Sequence, residues 1–562
     1  MPETFDAIVI GSGISGGWAA KEFCEKGLKT LLLERGRDVK HLKDYPTTNM
    51  QPWEFKHRLR VPYAIAKENP VVSRCYAFKE DAMHFFVKDT EHPYVQEKPF
   101  DWIRGYQVGG KSIMWARQTQ RWSDFDFEGP ARDGFAVDWP IRYKDIAPWY
   151  SYVEKFAGIS GNKDGVDTLP DGEFLPPWEL TCVENHFKQI VESNYEKRHV
   201  IFARCAHLTE PQPIHLEQGR GQCQARNLCQ RGCPFGGYYN SNSTTIPWAD
   251  KTGNLTLRAN AVVHSIIYDD DKQKATGVRI VDTKTKQVSE YFAPVIFVNA
   301  GAINTNLILL NSKSKRFPNG IGNDNGLLGK YVAFHHYRGR ISGVYNGMLD
   351  STTQNGRASG AYLPRFRNVY KQETNFLRGY AITFNATRAG SMEADGVGDE
   401  LKNKLMKPKE EGPWFLGSQC MGETIPKETN FVALDPEKKD EWGIPLLRIS
   451  IDYDENDEKM IKDFFEQMTE MYTKAGFTNI ETSDSKQAPG LDIHEMGGVR
   501  MGKDSKTSLL NEWNQMHLVP NVFVTDGACM TSTSTQNPSL TYMALTARAA
   551  NHAVELLKKK EL

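Results

Sequence analysis

A glycine-rich turn close to the start of the chain has the composition of a dinucleotide-binding site. Residues 11–16 read Gly-Ser-Gly-Ile-Ser-Gly and satisfy the pattern G-x-G-x-x-G. Glycines in this pattern permit a tight turn and let backbone N–H groups approach a pyrophosphate closely. Glu34 follows Gly16 by eighteen residues, where a carboxylate accepts hydrogen bonds from ribose hydroxyls and repels a 2′-phosphate. The pattern predicts FAD or NAD as the cofactor and leaves the choice between them open.

Three of the nine cysteines fall within eleven residues: Cys223, Cys229 and Cys233, the last followed by Pro234. Three closely spaced thiols with a following proline suit an iron–sulfur site better than a tetrahedral zinc site, which needs a fourth ligand. The other six cysteines are scattered singly, and we interpret them as small buried apolar groups.

Apolar strands and a helix flank the glycine-rich turn. The pattern predicts a strand over Phe5–Ile10, a helix over Ile14–Lys26 and a second strand over Leu28–Glu34, which together form a βαβ unit. Further strands are predicted over Leu255–Tyr268, Thr276–Val281, Val295–Asn299 and Val522–Thr525, with a long helix over Pro538–Leu557. This order of elements predicts an α/β fold with a Rossmann-like domain.

Length and charge limit the classes of function. A chain of 562 residues is long enough for more than one domain. Lys plus Arg (69) balance Asp plus Glu (70), so charge gives no reason to expect nucleic acid as a partner. The first residues lack the basic start and apolar stretch of a signal peptide, and no apolar run approaches about 18 residues. We therefore expect a cytoplasmic protein, unless a partner exports it.

The remaining motifs resemble those of the glucose–methanol–choline (GMC) family of flavin oxidoreductases. Arg104–Ser112 is similar to the family's second glycine motif, Val298–Thr305 to its third, and Asn521–Ala528 to its closing strand. Within the family, the resemblance is closest to the catalytic subunits of bacterial glucoside 3-dehydrogenases and to pyranose and C-glycoside oxidases. This resemblance favours FAD over NAD.

The resemblance implies a Rossmann-like FAD-binding domain interleaved with an α+β substrate-binding domain. We assign residues 1–42, 96–120, 201–334 and 485–562 to the first domain, and 43–95, 121–200 and 335–484 to the second and its caps. The cofactor-binding residues implied by the glycine-rich turn and the resemblance are Gly11, Gly13, Ile14, Ser15, Gly16, Glu34, Arg35, Gly109, Gly110, Ser112, Met114, Trp115, Val263, Ala300, Gly301, Asp526, Gly527, Ala528, Asn537 and Pro538.

One position in the second motif departs from the pyranose oxidases. These relatives carry a His that is bonded covalently to the flavin, just before a Trp, and this sequence has Met114 before Trp115. A thioether has no nitrogen nucleophile for that bond, so we predict non-covalent FAD.

Two side chains match the family's catalytic pair. His494 lies in Asp492–Gly502, which is similar to the C-terminal signature of the family, and Asn537 occupies the second catalytic position 43 residues later. The resemblance makes His494 the base that removes the hydroxyl proton. Asn537 would donate a hydrogen bond to the substrate oxygen. His335 and His336 lie where the family often has a His near the substrate domain, and a structural role and a site role both remain open for them.

The cysteine segment resembles that of bacterial sugar dehydrogenases that hold a [3Fe–4S] cluster. Relatives without a cluster also carry cysteine-rich turns there, so a purely structural interpretation stays open. A cluster would pass electrons to a cytochrome or to a quinone pool, and the resemblance implies a cytochrome c as the acceptor. Such dehydrogenases often reach the periplasm with a small subunit that carries the export signal, so we expect an accessory subunit and a cytoplasmic or periplasmic location.

These observations predict an FAD-dependent dehydrogenase that oxidises a secondary hydroxyl of a sugar or glycoside to a 3-keto sugar. The first alternative is a sugar oxidase that uses dioxygen and releases hydrogen peroxide. The second is a flavin-binding scaffold or electron carrier without an alcohol substrate, and the His494–Asn537 combination argues against it.

Overall fold

A computed structural model describes residues 4–352, 356–390, 396–406 and 411–562. In this part of the chain the strands are β1 (Ala7–Ile10), β2 (Thr30–Leu33), β3 (Val95–Gln96), β4 (Ile201–Phe202), β5 (Leu255–Arg258), β6 (Ala261–Asp269), β7 (Lys274–Asp282), β8 (Val288–Phe292), β9 (Val295–Val298), β10 (His335–His336), β11 (Gly339–Tyr345), β12 (Ala361–Leu363), β13 (Tyr380–Gly390), β14 (Glu411–Glu423), β15 (Phe431–Lys439), β16 (Pro445–Ser450), β17 (Thr478–Asp484) and β18 (Val522–Val524). The helices are α1 (Ile14–Glu25), α2 (Tyr63–Glu68), α3 (Asp124–Phe127), α4 (Gly129–Asp133), α5 (Tyr143–Ala157), α6 (Cys182–Asn194), α7 (Pro213–Glu217), α8 (Thr245–Asp250), α9 (Ala302–Asn311), α10 (Gly398–Met406), α11 (Glu455–Lys474) and α12 (Ser539–Lys559).

A five-stranded parallel sheet positions the glycine-rich turn. Its strand order is β5-β2-β1-β9-β18, and all neighbouring strands are parallel. β1, β2, β9 and β18 are fully buried and apolar apart from Thr30, as expected for a sheet covered on both faces. In chain order this is 3-2-1-4-5, so the order reverses between β1 and β9, which is where doubly wound folds bind their ligands. The Rossmann-like prediction is confirmed.

The chain leaves this sheet twice between consecutive strands. Residues 34–254 separate β2 from β5, and residues 299–521 separate β9 from β18. Both excursions contribute to a second, antiparallel sheet with the order β17-β11-β14-β13-β12-β4, on which β10 pairs with β14. β4 joins this sheet although it starts the range 201–334 that we assigned to the FAD-binding domain. The domain boundaries stay a prediction, and the ranges 1–42 and 335–484 also include residues outside the described part.

Helix α11 covers one face of the antiparallel sheet. Its amphipathic sequence buries Met460, Phe464, Met468 and Met471, which recur every three or four residues and so lie on one side of the helix. They join the sheet residues in a shared apolar core. The opposite face of the sheet is left to border a cleft. None of the helices in the described residues is long and apolar enough to cross a bilayer.

Candidate active site and cofactor cleft

One large cleft contains both the glycine-rich turn and the antiparallel sheet in its walls. Its volume is about 980 Å³, at the upper end of the range typical of ligand sites. Gly11 and Ser15 line it beside the parallel sheet, whereas Thr383 and Gln419 line it on the antiparallel sheet. A molecule that fills this cleft would contact residues of both sheets.

The three glycines of the turn serve different purposes. A Cβ on Gly11 would lie 2.3 Å from the Asn299 carbonyl oxygen, and one on Gly16 would lie 1.7 Å from the Gly11 carbonyl oxygen, so both are needed for backbone packing. A Cβ on Gly13 would meet no atom of the described chain within 4 Å. Gly13 therefore leaves free space at the start of α1, where the motif places a pyrophosphate.

Glu34 connects the end of β2 to this turn. Its carboxylate accepts hydrogen bonds from the Ser12 hydroxyl (2.6 Å), from the Ser12 N–H (3.2 Å) and from the Gly36 N–H (2.9 Å). Burial raises the pKa of Glu34, and the hydrogen bonds from Ser12 and Gly36 oppose that rise. The carboxylate borders the cleft, so it is placed to accept hydrogen bonds from a ribose. Sequence analysis missed its second role in fixing Ser12.

Most of the predicted cofactor-binding residues lie together on the cleft wall. Those that line it are Gly11, Gly13, Ile14, Ser15, Glu34, Arg35, Gly110, Ser112, Met114, Trp115, Val263, Ala300, Gly301, Asp526, Gly527, Asn537 and Pro538. Gly16, Gly109 and Ala528 lie outside the described lining and shape it indirectly. The Gly109 N–H donates to the Ser12 hydroxyl at 3.0 Å, and the Ala528 N–H donates to Asp526 at 3.0 Å.

Several buried polar atoms of cleft-lining residues are unsatisfied within the described chain, and two of them lie at the predicted cofactor and catalytic positions. Ser15 Oγ and Asn537 Oδ1 have no hydrogen-bond partner there, and a buried polar atom without a partner is costly. Asp526 is satisfied, because the Gly301 N–H (2.8 Å) and the Thr305 hydroxyl (2.5 Å) donate to it. Burial raises the pKa of Asp526 to about 6. The open space at Gly13 and the unsatisfied atoms fit a bound dinucleotide.

The structure brings the predicted base and its partner together at the cleft. Asn537 Nδ2 lies 3.3 Å from His494 Nε2, and both residues line the cavity. Burial lowers the pKa of His494 well below its usual value, and electrostatic interactions with the neighbouring His335 ring and with the Lys111 ammonium act in the same direction. His494 is therefore neutral at pH 7 and has a nitrogen lone pair available.

Tight turns hold His494 in this position. Ile493 has a φ of +66°, and Gly497 has a φ of +85° with no room for a Cβ, which would lie 2.3 Å from the Tyr331 carbonyl oxygen. The Asp492 carboxylate accepts from the backbone N–H groups of His494 (3.3 Å) and His335 (2.9 Å). These contacts fix the start of β10 beside the His494 loop.

His335 and His336 have different environments. His335 Nδ1 lies 2.9 Å from His494 Nδ1, so His335 contacts the predicted base although it lies outside the described cavity lining. The ring of His336 packs against Tyr453 with centroids 5.3 Å apart. Within the described residues its two ring nitrogens have no hydrogen-bond partner. Of the two, the structure therefore brings only His335 to the site.

A buried ionic network supports the segment that leads to Asn537. The Ser534 hydroxyl donates to Asp126 at 2.7 Å, and Arg365 bridges Asp126 (3.1 Å) and Glu423 (2.9 Å). Arg378 donates to the same Glu423 oxygen at 2.9 Å. Their side chains are almost fully buried, so removing one charge would leave others unpaired. No local pattern in the sequence signals this network, because its members are far apart in the chain.

Polar side chains in register across three strands form the opposite wall. Arg340 of β11 and Thr383 of β13 both pair with Gln419 of β14, and all three residues line the cavity. Paired residues on adjacent strands present their side chains to the same face of the sheet. Gln487 accepts from Arg340 at 3.3 Å and extends this wall. Hydrogen-bonding side chains of this kind suit a substrate with several hydroxyl groups.

The three clustered cysteines line a separate, much smaller cleft of about 20 Å³. Cys229 Sγ lies 3.8 Å from His207 Nε2, and Cys233 Sγ accepts from the Gly237 N–H at 3.4 Å. Across the described ranges, no group of three or more His, Cys, Asp or Glu residues is arranged to hold a metal ion. The iron–sulfur prediction for Cys223, Cys229 and Cys233 is therefore not supported by the described residues.

Curated relatives match almost the whole chain. A 2-methyl-1,2-propanediol dehydrogenase from Mycolicibacterium austroafricanum is 29% identical over 97% of this chain and 94% of the relative. The fructose dehydrogenase large subunit of Gluconobacter japonicus is 26% identical over 99% and 98%. The paromamine 6'-oxidase of Streptomyces fradiae is 25% identical over 97% and 90%.

Two family models match consecutive parts of the chain. Residues 5–335 match the N-terminal model of the GMC oxidoreductases, and residues 426–546 match the C-terminal model. The N-terminal match alone covers more than half of the sequence, which confirms the resemblance seen in the motifs. The chain therefore belongs to the GMC oxidoreductase family, whose members bind FAD and act on alcohol or sugar hydroxyl groups.

Proposed function

We propose that this protein is an FAD-dependent dehydrogenase that oxidises a secondary hydroxyl of a sugar or glycoside to a ketone, giving a 3-keto sugar. The observation that carries the proposal is the contact between His494 Nε2 and Asn537 Nδ2 in the wall of the cleft that also contains the glycine-rich turn. When bound, FAD supplies a hydride acceptor, the N5 atom of its ring.

Residues on the parallel-sheet side of the cleft would hold the cofactor. The turn at Gly13 and the N-terminus of α1 suit the pyrophosphate, and Glu34 suits the ribose. Met114 and Trp115 line the same cleft. Because Met114 occupies the position of the flavin-linking His of pyranose oxidases, binding is non-covalent.

His494 and Asn537 would divide the work on the substrate hydroxyl. The lone pair on His494 Nε2 takes the hydroxyl proton as the carbinol hydrogen leaves with its electron pair. Asn537 Nδ2 donates to the same oxygen and aligns the carbinol carbon. Since burial keeps His494 neutral, the base is ready at pH 7 without a preceding proton loss.

The polar wall and the relatives support a sugar-type substrate. Arg340, Gln419 and Thr383 offer donors and acceptors to several hydroxyls at once. Among the relatives, the names of a fructose dehydrogenase and a paromamine oxidase refer to sugar compounds. The relative named as a large subunit supports the further proposal of a small accessory subunit and a cytochrome c acceptor. Such a subunit would allow periplasmic as well as cytoplasmic location.

A sugar oxidase is the second candidate. It uses the same His494–Asn537 pair, and two relatives that match nearly their whole length are named oxidases. The two candidates differ only in whether dioxygen reoxidises the flavin.

The test is anaerobic reduction of the bound flavin by a panel of sugars, glycosides and simple alcohols, followed by product analysis. A dehydrogenase would be bleached by a sugar and reoxidised faster by a dye or cytochrome than by dioxygen. Rapid peroxide formation would favour the oxidase. Failure of every alcohol to bleach the flavin, with His494→Ala behaving like wild type, would overturn both candidates.

A further inference from the structure

Two histidine rings and a backbone carbonyl form a line that ends at the cleft. His335 Nε2 lies 2.9 Å from the Thr533 carbonyl oxygen, and His335 Nδ1 lies 2.9 Å from His494 Nδ1. The two rings are nearly perpendicular, with centroids 4.9 Å apart. His494 Nε2, at the other end of the line, faces Asn537.

The hydrogen positions along this line follow from the first contact. A carbonyl oxygen only accepts hydrogen bonds, so His335 Nε2 must carry a hydrogen. The ring of His335 is completely buried, and burial lowers its pKa to about 4. Glu423 and Arg365 are the nearby charged side chains and act in opposite directions on this pKa. Asp492 accepts from the backbone N–H of His335.

A neutral His335 with its hydrogen on Nε2 has a lone pair on Nδ1. The facing nitrogen, His494 Nδ1, must then carry the hydrogen of the contact between the two rings. This leaves His494 Nε2 as the nitrogen with the lone pair. The contact with Asn537 agrees, because the amide Nδ2 is a donor and needs an acceptor 3.3 Å away. In the opposite tautomer, two lone pairs would face each other between His335 Nδ1 and His494 Nδ1, and two donors would face each other between His494 Nε2 and Asn537 Nδ2.

We propose that His335 is a positioning residue that fixes the tautomer of His494, so that the lone pair of the base points into the cleft. The inference rests on the proposed function, because it assigns the orientation of that base. His335 itself touches neither substrate nor cofactor. Its ring acts through His494, in the way that a partner group selects the tautomer of a catalytic imidazole elsewhere.

Two variants of nearly equal shape test the proposal. His335→Asn keeps an acceptor at the position of Nδ1, whereas His335→Leu does not, and both lose the contact with Thr533. We expect His335→Leu to reduce its flavin about 10- to 100-fold more slowly than wild type, as other losses of an orienting partner do. His335→Asn should recover most of the rate. The affinity for the sugar, measured from the concentration dependence of the rate, should stay within a few-fold in both.

The measurements are anaerobic stopped-flow reduction across pH, flavin content and thermal unfolding. A purely structural role predicts that leucine, which suits a buried site better, performs at least as well as asparagine in both stability and rate. Faster reduction in His335→Asn despite equal or lower thermal stability supports the proposal. Equal rates in the two variants would overturn it. If none of the alcohols reduces the flavin of the wild-type protein, the proposed function fails instead. If an alcohol does reduce it and His335→Leu is reduced at the same rate as wild type, only the tautomer role is rejected.

Discussion

Replacing Gly13 by Val should weaken cofactor binding strongly while leaving the apo-protein folded. Gly13 has a φ of −66°, which any residue can adopt, and the space beside it is free of described protein atoms. A valine side chain would project into the space where the motif places the pyrophosphate. Losing two hydrogen bonds to a charged group costs roughly 3–6 kcal/mol in total. The FAD dissociation constant should therefore rise by about 10²- to 10⁴-fold.

Gly16→Ala is the matched control, three residues away on the same turn. Its new Cβ would lie 1.7 Å from the Gly11 carbonyl oxygen, so the backbone itself must move. Forcing extra atoms into a packed site costs about 1–3 kcal/mol or more. Gly16→Ala should therefore lower the unfolding temperature with and without FAD, unlike Gly13→Val.

Flavin absorbance per chain and thermal unfolding with and without added FAD distinguish the two variants. At 100 times its dissociation constant, FAD should stabilise the wild type by about 2.7 kcal/mol. Gly13→Val should unfold like the wild-type apo-protein and gain at most about 0.4 kcal/mol from the same FAD concentration. A Gly13→Val protein that purifies with wild-type flavin content would refute the placement of the pyrophosphate. A Gly13→Val protein whose unfolding temperature is as low as that of Gly16→Ala would refute the claim that the space at Gly13 is free.

Three further predictions concern the catalytic pair of His494 and Asn537, the clustered cysteines and the buried ionic network. His494→Ala should slow anaerobic flavin reduction by about 10²–10⁴ and Asn537→Ala by on the order of 10², both with FAD retained; wild-type rates would place the base elsewhere. Cys229→Ser should reduce its flavin at the wild-type rate, and air-free iron analysis should give the same low content in both proteins; about three irons per chain that disappear in the variant would restore the cluster interpretation. Glu423→Gln should destabilise the protein by about 3–5 kcal/mol, seen in denaturant unfolding, and an unchanged midpoint would show that Arg365 and Arg378 find other partners.

The pH dependence of flavin reduction follows from the lowered pKa of His494. The wild-type rate should be flat through neutral pH and fall only in acid, where His494 binds a proton and loses its lone pair. The same shift affects stability. In the unfolded chain the His494 imidazole binds a proton near pH 6.5, whereas in the folded chain it does so only at lower pH. The stability linked to His494 is therefore present above pH 6.5 and is lost as the pH falls. Thermal unfolding of wild type and His494→Ala between pH 7 and 5 measures this contribution, and identical pH slopes would contradict it.

The sequence predicted the parts of the molecule that depend on local patterns. Strand, turn and helix periodicity placed β1, α1 and β2 within a few residues, and motif order brought His494 and Asn537 to one cleft. The wall of Arg340, Gln419 and Thr383 was missed, because its members become neighbours only through strand register. The cysteine spacing did place Cys223, Cys229 and Cys233 around one small cleft, but spacing along a loop does not by itself establish a metal-binding geometry, and the described residues give no support for one.

The starts of two helices explain why the cleft suits a neutral base. α1 begins after Gly13, and α12 begins at Ser539, two residues after Asn537; the two helices pack against each other. A helix N-terminus carries about half a positive charge. Asn537, which contacts His494, lies just before the N-terminus of α12. This partial charge disfavours an imidazolium, as Lys111 does, although the Glu495 carboxylate 3.0 Å from Lys111 offsets part of the lysine charge. The same two helix ends favour negative charge in the cleft, whether on a pyrophosphate or on an oxygen that is losing its proton. One arrangement of helices therefore serves cofactor binding and proton removal together.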